Sequence, residues 1–141
     1  MTMNENTSNR RGVIFIFAIL FLVIAVSVAN ARVEKNYKNT AADHVNLIID
    51  SIDFREDLTR LYGRIIGVPH TSQKINRMEM KVGSSVFNAE DIDGVDFERW
   101  FQWEDDGVIS IEVDFKAMQP VKSGTLIIET ARGVDSSRFS K

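Results

Sequence analysis

Apolar and polar positions change their period once along this chain. Between Val45 and Ile65 the apolar residues fall three and four apart: Val45, Ile48, Ile49 and Ile52 form one set, and Leu58, Leu61, Tyr62 and Ile65 form another. That spacing is one face of an α-helix. Thr40, with Asp43 three positions on, has the form of a capping box in which aspartate replaces the usual glutamate. The six residues from Ile52 to Leu58 turn a helix by about 240° at ~3.6 residues per turn, so the two stripes are out of phase. Asp53 and Glu56 offer a second cap at that junction. The pattern predicts amphipathic helix with a break near Ser51 to Asp53 and a stop at Gly67 and Pro69.

From about Ile75 the period becomes two. Met78, Met80 and Val82 alternate with Arg77, Glu79 and Lys81, as on a half-buried strand. Phe97, Arg99, Phe101 and Trp103 share one face of a second strand, with Glu98, Trp100 and Gln102 on the other. Ile109, Ile111, Val113 and Phe115 alternate with Val108, Ser110, Glu112 and Asp114 in the cleanest strand of the chain. Asp106-Gly107 between these two runs is a hairpin signal. Residues 124–131, "GTLIIETA", supply a fourth strand after the turn at Pro120. The expected domain is α+β, one or two amphipathic helices packed across a roughly four-stranded antiparallel sheet.

The amino-terminal third adds a different pattern. Residues 1–12 are a polar tail, and residues 13–31 are apolar except for Ser27 and Asn30. Val13 to Ala29 would span about 25 Å as a helix at ~1.5 Å per residue, close to a hydrocarbon core of ~30 Å once Gly12, Asn30 and Ala31 are added. Two readings follow from the residues. Ala29-Asn30-Ala31 has the small-x-small form of a signal peptidase site, which would release the domain. Arg32, Lys35 and Lys38 follow at once, however, which favours a retained single-pass transmembrane helix. Arg10 and Arg11 abutting the segment place the amino terminus in the cytoplasm and the domain outside it, at an inner (cytoplasmic) membrane. On this layout residues 32–39 are a linker, 40–132 the domain and 133–141 a frayed tail.

The stretch "RRG" followed directly by an apolar segment resembles the processing site of type IV pilins and of the pseudopilins of type II secretion. That resemblance implies cleavage after Gly12, a mature chain starting at Val13, and a minor filament-type subunit with a helix leading into a small sheet. Phe17 stands at the fifth mature position, where most of that family carries a glutamate.

Composition narrows the chemistry. A formal net charge of −3 over 141 residues leaves no basic stripe to neutralise a phosphate backbone, so nucleic acid is not an expected partner. Cysteine is absent, which excludes disulfides, thiolate metal sites and cysteine nucleophiles. Half of the twenty acids lie between Glu90 and Asp114. Within them Asp91, Asp93 and Asp96 place three hard oxygen donors around Gly94, as Ca²⁺ binding needs, although the spacing is not that of an EF-hand and a solvated acidic loop is the plainer reading. His44 and His70 are the only histidines, and no G-x-S-x-G or phosphate-cradling motif is present. Trp100 and Trp103 are candidate partner contacts, large aromatics on a strand of which one sheet face is open.

The sequence thus predicts a non-enzymatic, membrane-anchored envelope protein whose partners are the lipid bilayer and other envelope or membrane proteins, without an obligate cofactor. Two alternatives stay open. A cystatin-like or NTF2-like domain would bind a ligand in a pocket lined by Met78, Met80, Phe101 and Ile111. An accessory subunit would pack its apolar helix on a larger membrane complex through Ala18, Ala25 and Ala29.

Overall fold

The computed structural model describes residues 32–141. Among these residues there is no helix. Ten strands follow one another: β1 (Arg32–Lys35), β2 (Lys38–Asn39), β3 (Asn46–Phe54), β4 (Leu58–Ile66), β5 (Ser72–Val82), β6 (Ser85–Asp93), β7 (Trp100–Gln102), β8 (Val108–Lys116), β9 (Ser123–Thr130) and β10 (Gly133–Ser140). All pairings are antiparallel, in the order β1-β3-β4-β8-β6-β5-β9-β10-β2, with β7 added beside β5. The expected α+β domain is therefore replaced by a large all-β sheet, and the pilin-like layout of a helix on a small sheet does not hold. The segment read as a transmembrane helix, and the processing positions Gly12, Val13, Ala29 and Ala31, lie outside the described residues. No helix among the described residues is long and apolar enough to cross a membrane.

The helical stripes fail for a physical reason. Val45, Leu47 and Ile49 point inward with a period of two; the ladder to β4 then shifts at Asp50, and Ile52 and Phe54 continue inward in the opposite phase. One extra residue in a strand reverses which face every later side chain takes. The spacing of three from Ile49 to Ile52 is the signature of that bulge, and it imitates a helical repeat. In β4 the inward positions are Thr59, Leu61, Gly63 and Ile65. A threonine and a glycine interrupt the apolar alternation, leaving Leu61 and Ile65 four apart. Gly63 is required where it stands, because a Cβ there would lie 2.6 Å from the Ile48 carbonyl oxygen beside the bulge. The same parity change separates Ile75 from Met78 in β5 and Ala89 from Ile92 in β6.

The sheet curls until its ends meet. Its first and last strands, β1 and β2, are consecutive in sequence, separated only by Asn36 and Tyr37. The expected linker, residues 32–39, is thus one extended segment whose first half pairs with β3 and whose second half pairs with β10. Asn36 adopts φ 66° at the change of partner. The Asn39 amide completes the closure by donating to the Leu47 carbonyl of β3 and to Ser137 Oγ of β10, the latter at 3.1 Å. The expected tail, 133–141, is β10. Its inward positions are Asp135, Ser137 and Phe139, mostly polar, which is why no apolar alternation marks it.

Inside the curl lies one continuous core that includes Leu47, Ile52, Phe54, Leu61, Met78, Met80, Phe115 and Leu126. Each such side chain contributes about 1.5–3 kcal/mol by leaving water. The barrel-like sheet has two poles. The proximal pole holds Arg32, the β3–β4 and β5–β6 turns, residues 117–122 and Lys141; the distal pole holds the 40–45, 67–71, 94–99 and 103–107 loops.

Candidate functional site

The distal pole carries a break in the ladder. β8 pairs with β4 along its whole length, but on its other edge pairing with β6 begins only at Glu112, so Val108–Ile111 have a strand on one side alone. β7 lies across the gap and directs its ladder to Ser72–Lys74 of β5. Asp106-Gly107 does turn the chain, with Gly107 at φ 65° and the Asp106 carboxylate accepting from the Val108 N–H at 3.1 Å, but β7 and β8 do not pair as the expected hairpin. The 94–99 loop closes the back of the wedge. There the Glu98 N–H donates to the Ile75 carbonyl at 2.8 Å, with Glu98 itself at φ 65°.

What remains is a surface groove of about 670 Å³, bordered by Asp96, Arg99, Trp100, Phe101, Glu104 and Ile109 among others. Its apolar elements are unevenly exposed. The Trp100 ring is 61% exposed, with Lys74 Nζ 5.4 Å from its centroid. Trp103, proposed from the sequence as a second contact, is only 2% exposed and belongs to the core. Phe101 meets it edge-on at 5.2 Å, and a Cβ on Gly67 would lie 2.1 Å from its Cε2. Strand alternation separates the pair Trp100 and Phe101 onto opposite faces, while the Trp103 N–H donates to the Thr71 carbonyl at 2.9 Å and Trp103 turns inward with Phe101.

The acidic run surrounds this groove without forming a cluster of ligands. Asp91 and Asp93 lie two apart on the exposed face of β6, about 7 Å apart at ~3.3 Å per residue. The Asp91 carboxylate accepts from the Ile92 N–H at 2.9 Å. Asp96 stands beyond Gly94, where Arg99 approaches it to 3.8 Å and shares a shallow depression with it and Asp91. Among the described residues no set of three His, Asp or Glu side chains converges as a metal ion requires. Across the ladder Asp91 faces Asp114 and Asp93 faces Glu112. These like-charged pairs are compensated only in part, by Arg60, which grips Asp114 through two hydrogen bonds of 2.7 and 2.9 Å. The guanidinium holds the Asp114 carboxyl below the usual range, and the carboxylate in turn raises Arg60.

His44 and Asp135 form a histidine–carboxylate contact, 2.7 Å from Nδ1 to Oδ1, in which the carboxylate is buried and the imidazole is 32% exposed. The helical pattern expected after Thr40 would include His44, which instead stands in the loop before β3. The carboxylate also accepts from the Val45 N–H at 2.7 Å and the His44 N–H at 3.2 Å, so it fastens the start of β3 to β10. A histidine so oriented can serve a nucleophile, but among the described residues no hydroxyl is hydrogen-bonded to its other ring nitrogen. His70 lies in the 67–71 loop, exposed, 3.2 Å from Asp105. The side chains named for a ligand pocket are packed instead: Met78, Met80 and Ile111 are core residues, and only Phe101 reaches a groove. The helix of a cystatin-like or NTF2-like domain is absent among the described residues.

No protein-family model, curated protein or solved structure matches the chain. The functional reading therefore rests on the site alone.

Proposed function

We propose that this chain is a non-enzymatic envelope protein, held at a membrane by the apolar residues 13–31, whose β domain binds another protein at the distal groove. The observation that carries the reading is the exposed Trp100 beside the unpaired edge of Val108–Ile111. A large aromatic on the surface contributes most at the centre of protein interfaces. An open strand edge offers backbone donors and acceptors to an extended segment of a partner, with neighbouring pockets selecting its side chains. The carboxylates Asp96 and Glu104 at the rim favour a partner segment bearing lysine or arginine.

Photo-crosslinking tests this reading. A photoreactive amino acid replaces Trp100 in the full chain expressed in its native membrane, and a second replaces Val134, equally exposed but three strands away along the sheet, across β5 and β9. The expected result is a discrete adduct of one protein from position 100 and none from position 134. Identical patterns from both positions, or no adduct at 100, would refute the groove as the contact.

A further inference from the structure

Charge is distributed unevenly along the barrel. The distal pole carries Asp43, Asp93, Asp96, Glu98, Glu104, Asp105 and Asp106 against Lys74, Arg99 and Arg132. The proximal pole is the reverse. Lys38, Lys81 and Arg138, all exposed, border one groove of about 760 Å³ whose lining contains no carboxylate. Lys81 and Arg138 flank Thr125 of β9 from either side, and Lys38 stands opposite Ser140. Arg60, Arg64 and Arg77 on the barrel wall and Arg55 in the β3–β4 turn each meet a carboxylate within 3.3 Å, whereas none of these three cations forms an ion pair among the described residues. The exposed acids of this pole, Glu56 and Asp57, belong to the β3–β4 turn and do not line the groove.

The chain meets the domain at this same pole. Arg32, one residue after the apolar segment, lies 2.7 Å from Glu34, which also pairs with Lys141; the Lys141 N–H donates to the Lys122 carbonyl at 2.9 Å. The bond from Lys141 holds the Glu34 carboxyl below its usual range. If residues 13–31 sit in a bilayer, the headgroups begin where Arg32 begins. A short tether then keeps the uncompensated cations within the ~8–10 Å over which charge acts at physiological salt.

We infer that the proximal pole docks on anionic lipid headgroups of the membrane that residues 13–31 engage, an inference that rests on the membrane attachment proposed above. The groove of Lys38, Lys81 and Arg138 takes the headgroup phosphates, and the domain stands on the bilayer with Trp100 pointing away. Juxtamembrane lysines and arginines are attracted to anionic leaflets in this way.

The test uses the full chain with a Ser84→Cys substitution in the exposed β5–β6 turn; the chain has no other cysteine, so one fluorophore can be placed there. It is reconstituted in vesicles of phosphatidylcholine alone or with about one third phosphatidylglycerol, each carrying headgroup spin-labelled lipid as a quencher. The expected result is at least twofold stronger quenching in anionic vesicles, lost in 0.5 M salt and in the Lys38→Gln, Lys81→Gln, Arg138→Gln variant, while Asp43→Asn in the exposed distal 40–45 loop leaves it unchanged. Equal quenching in both lipids would overturn the inference. So would a response of the detergent-solubilised chain to inorganic phosphate without any lipid dependence, which would make the groove a site for a free anion. Flotation of the unlabelled chain with neutral vesicles reports the attachment separately. Should it fail to float there, the attachment is refuted, and flotation with anionic vesicles, wild type against the triple variant, still decides the pole.

Discussion

Asp135 on the last strand holds His44, ninety-one residues earlier, at 2.7 Å, and takes the Val45 N–H at the same distance. That one carboxylate, 3% exposed, joins the start of β3 to β10 where no strand ladder connects them. Asp135→Ala leaves the buried Val45 N–H without a partner and is expected to cost about 2–4 kcal/mol in urea unfolding. His44→Ala keeps both backbone bonds and is expected to cost about 1 kcal/mol. Equal losses in the two variants would contradict the seam role given to the carboxylate.

The two tryptophans should behave oppositely. Trp103→Ala empties a buried site and is expected to destabilise by about 3–5 kcal/mol, whereas Trp100→Ala should stay within about 0.5 kcal/mol of the parent. Gly67→Ala is expected to resemble the Trp103 variant in direction, because its methyl would enter the indole ring. Thermal melts of the three variants check the order.

Alkaline stability reports Tyr37. Burial pushes its phenol up from the ordinary 10.0 to about 12, while its hydroxyl donates to the Val121 carbonyl at 2.7 Å. A raised folded-state value means the folded chain favours the neutral phenol. The resulting stability is complete below pH ~10 and is lost as pH rises through about 12, up to roughly 2–3 kcal/mol. Tyr37→Phe keeps the edge-on contact with Phe139 at 5.7 Å and should flatten the fall between pH 10 and 12 relative to wild type. An unchanged pH profile would contradict the burial argument.

Acid acts through Asp114. Its depressed value, due first to the Arg60 hydrogen bonds, gives stability that is present above the ordinary carboxylate value of 3.8 and is lost as pH falls through the lower, folded-state one. Arg60→Gln should remove that acid-side dependence and lower stability at neutral pH. Asp91→Asn relieves the charge facing Asp114 across the ladder and should raise neutral-pH stability slightly, by about 0.2–1 kcal/mol. Urea titrations at pH 7 and at pH 3 separate the two effects.

The strands that keep a single parity were legible in the sequence: β8 and β9 alternate cleanly, as does the second part of β5. Those with a bulge were not. At Asp50 and Glu90 one extra residue moves the next inward side chain from two places on to three, so Ile49 to Ile52 reads as a helical step and Ala89 to Ile92 as no step at all. β10 was hidden differently, since Asp135 and Ser137 face inward and are satisfied by hydrogen bonds rather than by apolar packing. The candidate site divided along the same line. Local alternation was enough to separate Trp100 from Phe101, but placing Trp103 under Gly67 needs the contact between two loops thirty-six residues apart, which local periodicity does not carry.

The central proposal is that residues 13–31 engage a membrane and that the aromatic groove faces away from it. Both tryptophans stand at the distal pole, so their emission in the membrane-bound full chain tests it without any substitution. The predicted result is quenching of the Trp100 fraction by acrylamide in water and none by lipids brominated along their acyl chains. Quenching by the brominated lipids would place the groove in the bilayer and contradict the account.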